Sequence, residues 1–223
     1  MKLMIKDKKS ETRNCFSLIF KKPAGFNFYP GQYLDVELPT SSKIDSRTFT
    51  ISSSPTEDFL MITTKKGVSK FKKMMEKLKT GDAISTTHPI GTFTLDESSS
   101  AVFIAGGIGI TPFRSMLKYA QDQKLNTPIT LFYSNDDLNF LFKKELKNWQ
   151  KQLPNLTIHY IVTSQAGRLD RDSFLKLYPK PYTLNPIYYL AGPPSMVDDF
   201  ESILLSLRVD HINIRYDRFD GYR

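Results

Sequence analysis

What this 223-residue chain lacks narrows its chemistry before any motif is read. It has one cysteine, Cys15, so neither an intramolecular disulfide nor a cysteine-ligated iron–sulfur cluster can be assembled from it. In a β-type run such a cysteine is expected to serve as a small buried hydrophobe. Its three histidines, His88, His159 and His211, show no close spacing with one another or with the cysteine, which argues against a zinc site. Any redox centre is then a bound cofactor, and no metal ligands are assigned. Long apolar runs are also missing. Ala101 to Ile110 is broken by glycines well short of the roughly 20 residues of a membrane span. The lysine-rich Met1 to Ser10 has no apolar stretch of the kind a secretory leader needs. The chain therefore reads as cytoplasmic, without a transmembrane segment.

What is present is an ordinary globular composition, 40% hydrophobic and 24% charged, in a chain long enough for two domains of about 100 residues each. The net charge of +8 is compatible with nucleic acid, anionic lipid or an acidic protein partner. No helix-turn-helix, zinc finger or aromatic RNA-binding signature accompanies it, so no nucleic-acid partner is expected. The densest basic stretch, Lys65 to Lys79, sets Phe71, Met74, Met75 and Leu78 at helical spacing, the pattern of an amphipathic surface helix.

From Leu3 to about Leu95, short β-type runs alternate with turn residues: Cys15 to Phe20, Gln32 to Leu38, Arg47 to Ser52, Phe59 to Thr64 and Asp82 to Thr86. This spacing predicts a small closed antiparallel barrel, interrupted by one helix over Ser69 to Lys79. After the polar stretch Asp96 to Ser100 the texture changes to apolar strands alternating with helices, the pattern of a parallel sheet. Strands are predicted at Ala101 to Ala105, Pro128 to Tyr133, Thr157 to Thr163, Ile187 to Ala191 and Ile212 to Tyr216. Helices are predicted at Pro112 to Gln123, Asn139 to Gln152, from Asp170, and over Pro194 to Leu207. The domain boundary is placed between residues 97 and 98.

Gly106-Gly107-Ile108-Gly109-Ile110-Thr111-Pro112 joins an apolar strand to a helix, where bare backbone N–H groups can approach a pyrophosphate. Ala191-Gly192-Pro193-Pro194-Ser195-Met196 forms a second such turn after another strand, as the second wall of a dinucleotide cleft would. After the strand that follows the first glycine turn, Asp136 stands where a carboxylate accepts hydrogen bonds from a ribose 2′-OH, or where it merely caps a helix. Its charge favours NADH over NADPH; Arg168 folded onto that pocket would argue the other way. In the first half, Arg47, Phe49 and Ile51 share a strand face. A guanidinium there can fork onto a phosphate and an aromatic ring can cover a flat heterocycle. Ser69, at the start of a helix, is either a plain N-cap or a hydroxyl aimed at a pyrophosphate.

Together with Pro30-Gly31-Gln32-Tyr33, Gly67 to Ser69, His88 to Phe93 and Phe219 to Tyr222, these segments stand in the order and approximate spacing of one family. The chain resembles the ferredoxin–NADP reductase superfamily in its short two-domain form, without a fused cluster or haem domain. The resemblance implies an antiparallel Greek-key FAD-binding barrel over residues 1–97 and a parallel-sheet NAD(P)-binding α/β domain over residues 98–223. It implies Arg47 on the flavin phosphate, Phe49 in place of the usual tyrosine against the isoalloxazine, and Thr50 near its reactive edge. Ile62, Thr64, Gly67 and Ser69 complete the flavin contacts. Gly106, Gly107, Gly109, Thr111, Pro112, Gly192, Pro193 and Met196 are the implied nucleotide contacts, with Thr111 facing the nicotinamide and Phe219 and Tyr222 in the aromatic tail over the flavin; Asp136, the candidate ribose contact, stands where many relatives carry arginine, which leaves the choice of nucleotide open. Ala191 replaces the family's cysteine. The implied activity is hydride transfer from NADH or NADPH to FAD, FMN being less expected. The electrons then pass to a separate acceptor such as an acidic ferredoxin or flavodoxin. A second class of reading is a flavin-binding electron-transfer or regulatory subunit that works only inside a complex.

Overall fold

The computed structural model describes residues 1–39, 44–178 and 185–219. The chain groups into two compact units, one made of Met1–Leu95 with Arg114–Asp122 and the other of Asp96–Phe113 with Gln123–Arg223.

The first unit is a six-stranded antiparallel sheet with one helix. Strands β1 (Lys2–Thr12), β2 (Cys15–Lys21), β3 (Tyr33–Pro39), β4 (Ile44–Thr50), β5 (Phe59–Lys65) and β6 (Ala83–Thr86) lie in the order β4-β3-β6-β1-β2-β5. The edge strands meet through an Ile51–Ile62 bridge and the Ser52 N–H to Met61 carbonyl bond of 2.8 Å, which closes the sheet on itself. Alternation fixes the inside: Leu34, Val36 and Leu38 of β3 and Phe49 and Ile51 at the end of β4 all join one buried cluster with Leu18, Phe20 and Ile62. Cys15 is buried in β2, as its composition suggested. β1 is a strand that sequence reading did not single out. Leu3 and Ile5 point inward, while its lysines give the outward face the look of a solvated tail. Helix α1 (Lys70–Lys77) turns Phe71 and Met75 into the same core, leaving Met74 and Leu78 only partly covered.

The second unit is a five-stranded parallel sheet. β7 (Ala101–Gly106), β8 (Ile129–Asn135), β9 (Leu156–Val162), β10 (Ile187–Gly192) and β11 (Ile214–Arg218) lie in the order β11-β10-β7-β8-β9, with β7 and β10 buried along their whole length. Such continuous burial is what parallel strands covered on both faces require. The helices are α2 (Ile110–Asp122), α3 (Lys143–Gln152), α4 (Thr163–Ala166), α5 (Arg171–Leu177) and α6 (Pro194–Ser206). Several predicted boundaries move by two residues or more, two of them for reasons seen in the turns. α3 starts at Lys143 and not at Asn139, because Asp137 takes the Asn139 backbone N–H (2.8 Å) and side-chain amide (2.8 Å) into a turn, and Phe142 is left-handed at φ 58°. The last strand starts at Ile214 because His211–Asn213 form a 3₁₀ turn capped by Asp210.

Helix α2 is continuous, yet its first turn groups with the second unit and Arg114–Asp122 with the first.

Candidate cofactor sites

In the first unit, several predicted residues gather at the first turn of α1. Ser69 is its N-cap, accepting the Lys72 backbone N–H at 3.2 Å. The Gly67 N–H donates to the Glu76 carboxylate at 3.1 Å, which ties the approach to the helix onto its far end. Phe49, 4% exposed, stacks on Phe71 with ring centroids 6.0 Å apart. The Arg47 guanidinium lies 5.7 Å from the Phe71 ring, with its side chain 58% exposed. It donates to the Asp45 carboxylate at 2.7 Å and to the Ser46 carbonyl at 2.8 Å. Thr64 is fully buried at the end of β5 and accepts a hydrogen bond from the Lys72 ammonium. Ile62 and Thr50 are also buried, Ile62 within the barrel core and Thr50 opposite Tyr33 in the β3–β4 ladder. Gly31, at φ +102°, sits where a Cβ would come 2.1 Å from the Phe93 carbonyl oxygen, so this turn before β3 admits only glycine.

Sequence reading missed two groups here. Lys72 looked like one more lysine on a basic helix. Arg114 occupies an apolar position of the α2 stripe, four residues after Ile110 and three before Leu117, and is 2% exposed. Its guanidinium forks onto Glu57 at 2.8 and 3.1 Å and reaches the Ser52 carbonyl at 2.9 Å. Ser115 adds a bond to the Ser53 carbonyl at 2.6 Å. The turn that leaves β4 is thus held by a buried two-pronged ion pair, the geometry in which such a pair is strongest. A charge in a helix's apolar stripe was the signal available for Arg114.

In the second unit the two glycine turns converge. A Cβ on Gly109 would stand 2.1 Å from the Ala191 carbonyl oxygen, and one on Gly192 would stand 3.2 Å from the Gly106 backbone. Met196 lies against both Gly106 and Gly192. Gly107 takes φ +54°, and its carbonyl accepts the Tyr133 hydroxyl at 3.1 Å. Thr111 is 2% exposed and donates back to the Ile108 carbonyl at 3.1 Å, with Pro112 buried beside it. Pro193 is exposed at the start of α6. The half-buried Phe219 is tied to this region by its N–H to the Gly192 carbonyl at 2.9 Å. Tyr222 lies outside the described residues. Asp217, paired with Ala191 across β10–β11, has its carboxyl pushed up to about 6 by burial. Asp136 is exposed and accepts the Thr163 hydroxyl at 3.0 Å, whereas Arg168 lies 3.7 Å from Asp199.

Residues 2–111 match the FAD-binding domain family and residues 103–202 match the oxidoreductase NAD-binding domain family. The toluate 1,2-dioxygenase electron transfer component of Pseudomonas putida is 26% identical over 86% of this chain and 59% of its own length. The phenol hydroxylase P5 protein of Acinetobacter pittii is 30% identical over 86% of this chain and 58% of its own. The chain therefore spans about three fifths of these two relatives. The ferredoxin-NADP+ reductase of Plasmodium falciparum shares the fold, with TM-score 0.84 and 22% identity over 98% of this chain and 95% of that one. The chain thus joins a stretch that matches the FAD-binding domain family to one that matches the oxidoreductase NAD-binding domain family, on the fold of that ferredoxin-NADP+ reductase.

The donor set suits those cofactors. A guanidinium, a capping hydroxyl and an ammonium surround an aromatic pair in the first unit, and close-packed glycine turns at strand ends stand in the second. Among the described residues no helix is long and apolar enough to cross a membrane.

Proposed function

We propose that this chain is a flavoprotein reductase that oxidises NAD(P)H and delivers the electrons, through FAD, to a separate acceptor. The convergence of the two glycine turns carries the reading. A strand-to-helix turn that served folding alone would not need a second glycine turn packed backbone to backbone against it. We assign residues 1–97 to flavin binding and 98–223 to nucleotide binding. When bound, FAD supplies the hydride acceptor and the nicotinamide the hydride.

The chain's own residues bind and orient. Arg47 and Ser69 hold flavin phosphate, while Phe49 and Thr50 at the end of β4 set the ring. The backbone at Gly106–Gly109 and Gly192 receives the dinucleotide, with Thr111 and Phe219 flanking the nicotinamide. Orientation of this kind is worth roughly 7–11 kcal/mol of a barrier. The exposed carboxylate of Asp136 favours a free ribose 2′-OH and hence NADH. The net charge of +8 favours an acidic acceptor such as a ferredoxin or flavodoxin, and the reading places the protein in the cytoplasm.

The test is an anaerobic absorbance spectrum of the FAD-loaded protein before and after stoichiometric NADH or NADPH. Bleaching of the flavin bands, faster with NADH, is expected. Bound flavin that neither nucleotide reduces would rule out independent turnover, and absence of flavin binding would overturn the assignment.

A further inference from the structure

The first turn of α1 holds a lysine for which the reductase reading has no task. Lys72 is half-buried. Its ammonium donates to the Thr64 hydroxyl on β5 and lies 4.9 Å from the centre of the Phe49 ring on β4. Its stem packs on Gly67, where a Cβ would stand 3.2 Å from Lys72 Cγ. Its backbone N–H is the one capped by Ser69. Arg47 lies over the other ring of the same stacked pair, so each ring carries a cation. Burial lowers the lysine to about 8, outweighing the opposite pull of Cys15 and Glu76, while Lys65 pushes the same way as burial. An ammonium held against its preference in this way is stabilised by any anion brought beside it.

We propose that Lys72 is a phosphate-binding residue of the flavin site, its ammonium turning from Thr64 to the pyrophosphate of FAD. The proposal rests on the assignment of FAD to the first unit. Lysine brings a compact, rotatable point charge where Arg47 brings a rigid fork, so the two cations can serve one diphosphate differently.

Lysine also titrates where arginine does not. Among the described residues, the charged or titratable groups that act on Lys72 include Cys15 on β2, Glu76 on α1 and Lys65 on β5, while Arg47 on β4 lies over the Phe71 ring and Glu11 on β1 acts on Cys15. Burial raises the Cys15 thiol above its ordinary value. Proton loss at Lys72 near pH 8 changes the charge of this cluster. In the FAD-free protein Lys72 loses its proton near 8, and with an anion beside it the proton is held to higher pH. Binding then takes up a proton, and FAD affinity falls by up to about tenfold per pH unit above 8. The stability of the FAD-free protein responds in the opposite sense. The unfolded chain holds more protons from about 8 to the ordinary lysine value, so the contribution of this residue to stability rises across that window.

The experiment titrates FAD-free protein with FAD, following flavin fluorescence at pH 7, 8 and 9, for the wild type, Lys72→Met and Lys72→Arg. The wild-type Kd should rise about tenfold between pH 7 and 9, most of it above pH 8. Lys72→Met should bind about tenfold more weakly at pH 7, with a flat profile. Lys72→Arg should keep the affinity of pH 7 and lose the pH dependence. Thermal unfolding of FAD-free Lys72→Met, no lower than wild type at pH 7, separates lost binding from lost fold; if that variant does not fold, the profile of Lys72→Arg decides. A wild-type Kd and pH profile in both variants would overturn the role of Lys72 and leave the flavin site standing. Failure of all three proteins to bind FAD would overturn the site as well.

Discussion

In the first unit the candidate site is made of side chains: Arg47, Ser69 and Lys72 around the Phe49–Phe71 pair, with Arg114 and Glu57 bracing the turn beyond β4. In the second unit it is made of backbone, glycine against glycine and carbonyl, with no charged side chain on either turn. A side-chain site can be retuned by exchanging one group while the chain path stays. A backbone site is the chain path, so recognition and packing there fail together.

The comparison can be broken first at Arg114. Replacing it with alanine leaves the Glu57 carboxylate, 11% exposed, without its cation, and should cost about 3 kcal/mol in denaturant unfolding. Joint replacement of Arg114 and Glu57 by methionine should recover much of that loss. A single-variant cost below about 1 kcal/mol would mean that the pair is not closed in solution.

Gly109→Ala tests the backbone half. Its Cβ meets the Ala191 carbonyl oxygen at 2.1 Å and Gly192 Cα at 2.7 Å, neither of which can step aside. The expected cost is about 3 kcal/mol, with NADH affinity lost alongside. Gly67→Ala in the first unit meets only the Lys72 stem, starting at 3.2 Å, and should cost less than about 1 kcal/mol. Equal costs at the two glycines would erase the distinction drawn between the units.

The smallest effect sharpens the contrast in charge. Burial works against the charged form of the Lys72 ammonium in the first unit and of the Asp217 carboxyl in the second. Asp217 holds its proton to about 6 when folded and releases it near 4 when unfolded. The folded state therefore binds more protons across that window, and the contribution of this group to stability falls as pH rises from about 4 to 6. Asp217→Asn should be more stable than wild type by roughly 1–2 kcal/mol at pH 7 and equal to it near pH 4. A constant difference at both pH values would show that Asp217 is not the titrating group.

Much of this was legible in the chain itself. Alternation in Leu34, Val36 and Leu38, the apolar block Ala101–Ala105, and glycines at strand ends report directly on sheets and turns, because period and missing side chains are local properties. β1 was not legible: its inward residues stop at Ile5 and the rest of the strand is polar, so hydrogen bonding to β2 and β6 defines it and not the pattern of its own residues. Lys72 and Arg114 escaped for a related reason. A charged residue declares itself solvated unless its partner is known, and Glu57 stands 57 positions from Arg114. The burial of Phe49 against Phe71 likewise depends on a helix that starts about twenty residues downstream of β4.

That separation of Glu57 from Arg114 bears on the order in which the molecule is made. A nascent chain that has left the ribosome through Leu95 carries all six barrel strands but not the guanidinium that Glu57 awaits, which arrives only after β7 and the glycine turn. Until then water must solvate the carboxylate, and the turn beyond β4 has no brace. The barrel strands, made before the second unit, are thus braced by a segment delivered after the second unit has begun. A gene cut at Leu95 would encode every strand of the barrel without encoding a finished domain.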